Sequence, residues 1–228
     1  MSTQRFRIRL TPFVAVAVAA AVVAVGCTST VTRSELAEEY FNLGNAYFES
    51  GDLQKSYEAY QRALSITDNL PAAGYNLARL HIDRDEFGEA QSVLDRLLEQ
   101  DPENTLVLET KAYVMYQRDL PDRSVELYLQ VLSLSPARIS AAYNVALVYK
   151  SQNKVEEALA VLESSKDFAG DDSEYHWLLA EVAHDAERES AALTALEAFS
   201  RITEGDEAEQ LRLALRYFDW GYYLQSID

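Results

Sequence analysis

The sequence contains little that could cross-link the chain or break its regular structure. It has a single cysteine, Cys27, so no disulfide can form within the chain and the fold must rely on packing. Five prolines and eight glycines among 228 residues are too few for a collagen-like, low-complexity or long disordered chain. Because 48% of the residues are hydrophobic, the chain has enough apolar material for one well-packed folded unit.

Positive charge is scarce as well. The chain has 20 lysines and arginines against 37 aspartates and glutamates, which gives a formal net charge of -17. Residues 1–26 contain Arg5, Arg7 and Arg9 but no acid, so the remainder is three charges more negative, at -20. Nucleic-acid binding depends on lysine and arginine side chains that meet the phosphates, and we therefore expect no nucleic-acid partner.

The residue patterns of familiar catalytic sites are missing. The three histidines, His81, His176 and His184, show neither an HExxH motif nor another short metal-binding spacing. No GxSxG motif and no glycine-rich phosphate loop occurs. The sequence therefore predicts no metal, no cofactor, no small-molecule substrate and no enzymatic activity, and it predicts structural roles for the histidines.

A long apolar run occurs only near the N-terminus. Residues 1–26 begin with a basic group and continue with an alanine- and valine-rich run over residues 13–25. A membrane-spanning helix needs about 20 apolar residues, and this run has roughly 13, which is typical of an export signal. The alternative is an uncleaved anchor whose N-terminus stays in the cytoplasm.

The end of this run resembles a lipoprotein processing site. The residues Val23-Ala24-Val25-Gly26-Cys27 are similar to the lipobox of bacterial lipoproteins, although Ala24 stands where leucine is more usual. The resemblance implies that residues 1–26 are removed and that Cys27 carries acyl chains such as palmitate, followed by a lipidated tether over residues 27–36. Several acyl chains would make attachment practically permanent. A buried free cysteine is the alternative.

The residue after the cysteine bears on location. In Gram-negative lipoproteins an aspartate there tends to retain the protein at the inner membrane, whereas this chain has Thr28. We therefore expect a lipid-anchored protein on the extracytoplasmic, periplasmic face, at the outer membrane if the cell is Gram-negative.

The strongest pattern in the sequence is a repeat of 34 residues. Copies begin at residues 37, 71, 105, 139, 173 and 207, without gaps. The eighth position of every copy is small, which lets two helices approach closely: Gly44, Ala78, Ala112, Ala146, Ala180 and Ala214. The twentieth position is also small: Ser56, Ala90, Ser124, Ala158 and Ala192. The twenty-fourth is large: Tyr60, Leu94, Tyr128, Leu162 and Leu196. The four-residue step between these two positions places them on one helix face.

Turn-forming residues fall between the predicted helices. Residue types that tolerate positive φ occupy the expected turn within four copies: Gly51, Asp85, Asp119 and Asn153. Pro102 and Pro136 stand just past predicted second helices, where proline ends a helix. Pro71 and Pro121 fit the first turn of a helix.

The first copy resembles the tetratricopeptide repeat through Tyr40, Leu43, Gly44 and Tyr47, followed by Ser56, Tyr60 and Ala63. The resemblance implies an all-α fold, a right-handed superhelical solenoid of helix-turn-helix repeats. It implies five repeats, at residues 37–70, 71–104, 105–138, 139–172 and 173–206, and a C-terminal capping helix with an aromatic tail over residues 207–228. Lys111 departs from the pattern, and we expect its stem to pack while its ammonium group reaches water. The tail, with Phe218, Trp220, Tyr222 and Tyr223, either packs on the last helix pair or docks on a partner or a membrane.

In this family the first helix of each repeat lines a concave groove through positions 2, 5, 6, 9 and 12. The resemblance places these candidate peptide-binding residues there: Asn42, Asn45, Tyr75, Asn76, Arg79, Tyr113, Tyr143, Asn144 and Lys150. The carboxamides can bond the backbone of an extended peptide, and the basic groups can meet an acidic side chain.

Aromatic residues with polar tips suit a wet binding surface, and further aromatic positions of the same face are Phe41, Phe48, Tyr116 and Trp177. The asparagines can instead hold repeats together, and the aromatics can fill gaps between helices, so both alternatives remain open. A carboxylate clamp for C-terminal peptides is disfavoured, because Phe41, Leu106 and Thr110 stand where its basic residues belong.

Together these features predict a membrane-anchored scaffold or adaptor that binds a protein or peptide partner outside the cytoplasm. One alternative is an assembly factor for an outer-membrane complex, similar to pilotins of type IV pili or to accessory subunits of barrel assembly. Another is a partner of a solute-transport system. Fold analogy supplies the class of function in each case.

Overall fold

The computed structural model describes residues 32–221, which form eleven α-helices and no strand. The helices are α1 (Arg33–Glu49), α2 (Leu53–Ile66), α3 (Pro71–Asp83), α4 (Phe87–Gln100), α5 (Thr105–Gln117), α6 (Pro121–Leu134), α7 (Ile139–Ser151), α8 (Val155–Ser165), α9 (Ser173–Asp185), α10 (Glu189–Ile202) and α11 (Glu207–Asp219). A short 3₁₀ turn, Lys166–Phe168, follows α8. The predicted export signal, Cys27, Tyr222 and Tyr223 lie outside the described residues.

The helices pack in consecutive pairs. Contacts are most extensive between the two helices of each pair, from α1 with α2 to α9 with α10, and each second helix also packs on the first helix of the next pair. The first helices α7 and α9 also touch directly. This order of packing confirms the predicted all-α solenoid. Within the described range α11 has no second helix of its own.

Local sequence explains where the helices begin. At α1, Thr32 accepts a hydrogen bond from the Glu35 backbone N–H, and the Glu35 carboxylate accepts one from Thr32 N–H, a capping box. Residues 33–36, assigned above to the tether, are thus the first turn of α1. Four later helices are capped by an Asp or Asn side chain: Asp52, Asn104, Asp172 and Asp206. Pro71 and Pro121 are the first residues of α3 and α6, as predicted.

The turns inside the pairs use positive φ. The four residues predicted for this role adopt it, with φ of 79° at Gly51, 58° at Asp85, 60° at Asp119 and 59° at Asn153. In the fifth pair Glu187 takes the same conformation, with φ of 58°, although glutamate is not a residue that favours it.

The core follows the repeat. The small eighth-position residues from Gly44 to Ala180 are buried, and so are all the twentieth- and twenty-fourth-position residues. Ala214 is exposed, because no second helix covers α11 in the described range. Lys111 packs its side chain as predicted, but its ammonium group pairs with the Asp95 carboxylate at 2.6 Å where the prediction had it reach water. Three buried clusters succeed one another along the stack and share partly buried residues, so the core is continuous.

Candidate functional site

Side chains of successive first helices meet on one face, which we call the first-helix face. Hydrogen bonds cross it from helix to helix: Asn45 to Asn76, Tyr75 to Thr110, Lys150 to Glu181 and Glu181 to Arg216. The fifth, sixth and ninth positions of neighbouring copies therefore lie side by side. The predicted site residues fall into three parts of this face.

At its N-terminal end two of the predicted asparagines bind each other. The Asn45 side-chain oxygen accepts hydrogen bonds from the Tyr60 hydroxyl at 2.7 Å and from the Asn76 amide at 3.1 Å. Asn76 also donates to the Tyr60 hydroxyl at 3.2 Å. This triad ties α1, α2 and α3 together. Asn42 is exposed and its side chain makes no hydrogen bond to another described residue.

At the centre lies a depression of about 360 Å³. It brings together four predicted residues and seven others: Tyr75, Arg79, Tyr113 and Asn144, with Ile82, Asp83, Leu106, Glu109, Thr110, Tyr128 and Arg138. Arg79 is exposed and lies 5.6 Å from the Phe48 ring, and it forms no ion pair with any described carboxylate. Tyr113 is 41% exposed. The centre thus combines open aromatic surface with an unpaired cation.

Sequence reasoning did not assign the seven other residues to the site, and three of them bear on its chemistry. Arg138 Nε donates to the Glu109 carboxylate at 2.7 Å, and both side chains line the space. Glu109 occupies the fifth position of its copy, so the register that located Tyr75 and Tyr143 could have located it too. Tyr128 was assigned to packing alone. It is 2% exposed, and burial together with the nearby Glu109 carboxylate raises its pKa above the ordinary value.

A second depression of about 310 Å³ adjoins the first and shares Tyr75 and Leu106 with it. Half of its other lining residues are apolar, among them Pro71, Ala72 and Leu97, and the rest are polar, among them the predicted Asn76. The first depression has four charged residues and the second has one, so the two form a polar compartment beside a more apolar one.

At the C-terminal end charges are paired. Lys150 Nζ lies 2.8 Å from the Glu181 carboxylate and 3.7 Å from that of Asp185, so its charge is neutralised within the fold. Glu181 also accepts from Trp177 Nε1 at 3.0 Å and from Arg216 at 2.8 Å.

The expectation that Trp177 adds open aromatic surface is wrong. Its ring is 5% exposed, because it packs on Phe199 with the ring centres 4.9 Å apart and is covered by the Arg212 guanidinium at 3.9 Å. Tyr143 is half-buried, and burial with the nearby Glu174 carboxylate raises its pKa.

The histidines occupy structural positions. His81 is buried edge-on against Tyr57, with Nδ1 at 2.6 Å from the Glu86 carboxylate. His176 Nε2 lies 3.0 Å from the Gly170 carbonyl oxygen, and His184 stacks on Trp220. Between residues 32 and 221 no group of three or more His, Cys, Asp or Glu side chains could hold a metal ion. In the same range no helix has the length and apolar character needed to cross a membrane.

Comparison with known proteins decides the family. A family model described as tetratricopeptide repeat matches residues 47–112. The solved structure of pilF from Pseudomonas aeruginosa superposes with a TM-score of 0.66, covering 85% of this chain and 92% of that one at 20% identity. The family match over residues 47–112 and the solenoid of paired helices identify tetratricopeptide repeats in this chain. The fold is an interaction scaffold, because stacked repeats present an extended surface to other proteins.

Two relatives match part of this chain in sequence. Protein O-mannosyl-transferase Tmtc3 of Drosophila melanogaster is 24% identical over 132 residues, which is 57% of this chain but 14% of that protein. An uncharacterized lipoprotein of Treponema pallidum (strain Nichols) is 26% identical over 134 residues, covering 59% of this chain and 68% of the relative. The tetratricopeptide repeat protein thus spans a small part of the transferase and about two thirds of the lipoprotein.

Proposed function

We propose that this tetratricopeptide repeat protein is a lipid-anchored scaffold that binds an extended segment of a partner protein on its first-helix face. The anchor is Cys27, the location is the extracytoplasmic side of the membrane, and the role is binding without catalysis. The lipobox-like sequence before Cys27 supports the anchor, and the partial likeness to a Treponema lipoprotein is compatible with it.

The central depression carries the binding proposal. Other cations on this face are paired with carboxylates: Lys150, Arg138, Arg212 and Arg216. Arg79 forms no such pair with a described carboxylate, and it lines the depression together with Tyr75 and Tyr113. Aromatic surface with one available cation is typical of a peptide-binding site, since aromatic and arginine side chains contribute most at protein interfaces.

The two adjoining depressions fit a chain more readily than a small molecule. Both are shallow and open, and they continue into each other across Tyr75 and Leu106. An extended segment lying along the face could place one side chain in the more apolar compartment and a nearby one in the polar compartment. Main-chain groups of the segment would remain within reach of the exposed Asn42.

The test is site-specific photo-cross-linking in the living cell. Benzoylphenylalanine would replace Tyr116, which is 41% exposed at the twelfth position of the third copy, on the face that we propose to bind. The matched control position is Leu129, which is 39% exposed on the second helix α6. We expect the probe at 116 to capture one partner protein through one continuous segment, and Arg79→Glu to abolish this capture.

The control position 129 tests whether the partner binds the first-helix face or another surface. Equal capture from position 129, or capture at 116 that Arg79→Glu leaves unchanged, would place the partner elsewhere on the molecule and contradict the proposal.

A further inference from the structure

Two junctions between copies carry the same polar pair, a tyrosine at position 24 and an asparagine at position 6 of the next copy. In the first junction these are Tyr60 and Asn76, and both bond to Asn45 at position 9. The Asn45 side-chain oxygen is the shared acceptor, because it accepts hydrogen bonds from both the Tyr60 hydroxyl and the Asn76 amide. The first junction is therefore satisfied internally.

The third junction lacks that acceptor. Its tyrosine is Tyr128 and its asparagine is Asn144, but position 9 holds Tyr113, whose hydroxyl accepts from the Gln117 amide at 2.6 Å and bonds to neither of them. Neither the Tyr128 hydroxyl nor the Asn144 carboxamide bonds to any residue that the structure describes. Tyr128 is almost wholly buried, yet it lines the central depression together with Asn144. The Tyr128 hydroxyl and the half-buried Asn144 carboxamide therefore face the depression with unused hydrogen-bonding capacity, which suits a ligand from outside the chain.

We infer that the bound segment supplies the missing acceptor through the side-chain carboxamide of an asparagine or glutamine, seated where Asn45 sits in the first junction. This inference rests on the proposed peptide-binding function and names the specificity of its central depression. The ligand oxygen would accept from Tyr128 and Asn144. The ligand amide would donate to Glu109, which lines the same depression.

Hydrogen-bond pairing separates the carboxamide from other groups. A carboxylate offers acceptors to Tyr128 and Asn144 but no donor to the Glu109 carboxylate. The charges of the depression are mixed, because Arg79 and Arg138 line it beside Glu109, so donor and acceptor pairing makes the selection. An aliphatic side chain would displace water from both polar groups and leave them unpaired, which is the strongest basis that binding sites have for rejecting a ligand.

The experiment is selection from a random peptide library displayed on phage, with the purified full-length protein in detergent as the target. We expect enriched peptides to share an asparagine or glutamine at one fixed position. Tyr128→Phe should remove this preference. The control is Tyr60→Phe, which deletes the equivalent hydroxyl of the first junction. It should keep the preference and lower the thermal midpoint, because bonds satisfied within the fold are lost.

Binding of one enriched peptide then measures the effect. Replacing its shared glutamine or asparagine by glutamate or aspartate, or by leucine, should weaken binding about tenfold, the effect of about one good hydrogen bond. Tyr113→Asn rebuilds the residue set of the first junction within the fold, so it should raise the thermal midpoint and weaken peptide binding together.

The outcomes distinguish the two proposals. Failure of the wild type to enrich any peptide would overturn the peptide-binding function and this inference with it. Enrichment without a shared carboxamide, with a shared acid instead, or with a preference that survives in Tyr128→Phe would overturn the inference alone.

Discussion

Glycine at position 44 sets the distance between the helices of the first pair. A Cβ atom added there would lie 2.5 Å from two ring carbons of Tyr60, which is buried and cannot move aside. We expect Gly44→Ala to lower the free energy of unfolding by about 1–3 kcal/mol, measured by urea denaturation followed by circular dichroism. The control is Gly88, where an added Cβ meets nothing within 4 Å. Gly88→Ala should raise stability by about 0.5–1 kcal/mol, and a loss there would show that the difference has another cause.

Serine at position 124 is a second case in which one atom matters. Its hydroxyl is buried without a hydrogen-bond partner among the described residues, whereas three copies have alanine at this position. We expect Ser124→Ala to raise the free energy of unfolding by about 1 kcal/mol, since it removes an unsatisfied polar atom and leaves little space. Ser92→Ala is the comparison, because the Ser92 hydroxyl is exposed and already bonded to the Gly88 carbonyl. An equal gain from both variants would argue for helix propensity as the cause.

The sequence predicted which repeat positions hold small or large side chains, but it did not predict which polar side chains bond to one another. The small and large positions of the repeat were located correctly because packing repeats with the copy. Lys150 and Trp177 were assigned to open surface, yet Glu181 pairs with one and bonds the other. The first contact joins two copies and the second lies within one helix, and both depend on Glu181, a residue that does not follow the repeat. Tyr128 was likewise seen as packing alone, because its missing partner shows only beside the complete triad of Asn45, Tyr60 and Asn76.

At the scale of helices, ion pairs join α11 to α9 beside the apolar contacts of the buried Leu213 and Tyr217. The Glu181 carboxylate on α9 forms an ion pair with Arg216 of α11. The Glu174 carboxylate, also on α9, forms one with Arg212, whose guanidinium lies over the Trp177 ring. Burial acts to raise the pKa of Glu181, but the hydrogen bond and charge of Lys150, together with Arg216, outweigh it and hold this pKa below its ordinary value. The ionised carboxylate therefore stabilises the docked helix.

We expect Glu181→Gln to weaken the docking of α11 by about 1 kcal/mol, seen as faster amide hydrogen exchange over Glu207–Asp219. The folded pKa is lowered, so the contribution should be complete above the ordinary pKa of 4.5 and lost as the pH falls through the lowered value. Glu209→Gln is the matched control, since Glu209 pairs with Arg212 inside α11. Exchange that stays unchanged in Glu181→Gln would mean that α11 is held by its apolar contacts instead, and an equal rise in both variants would mean that the pair between α9 and α11 has no special role.

The sequence predicted the helices well, since caps, prolines and turn residues mark their ends. The turn at Glu187 was missed because glutamate rarely takes positive φ, and only the packing of α9 on α10 imposes it there. Helix boundaries thus follow local chemistry where that chemistry is strong. At Glu187, where the local sequence does not favour a turn, the packing of neighbouring helices accounts for the positive φ.

At the scale of the whole molecule, the proposed anchor would determine which partners the first-helix face can meet. Helix α1 is capped by Thr32, five residues after Cys27, and five extended residues reach at most about 18 Å. A lipid on Cys27 would therefore hold the N-terminal end of the solenoid close to the bilayer. The central depression, two copies further along, would face partners that are themselves at or near the membrane surface.

Lipidation is testable without knowledge of the partner. Cells supplied with a clickable palmitate analogue should label the wild-type protein, and mass spectrometry should find a mature N-terminus at an acylated Cys27. Cys27→Ala should lose the label and keep residues 1–26, because a processing enzyme of this type cuts only before a lipidated cysteine. Thr28→Ala, one residue away, should keep both the label and the cleavage. Label that persists in Cys27→Ala, or a wild type that keeps its first 26 residues, would refute the lipid anchor and favour attachment through the uncleaved apolar run. The binding proposal for the first-helix face would be unaffected, since it rests on residues from Asn42 to Asn144.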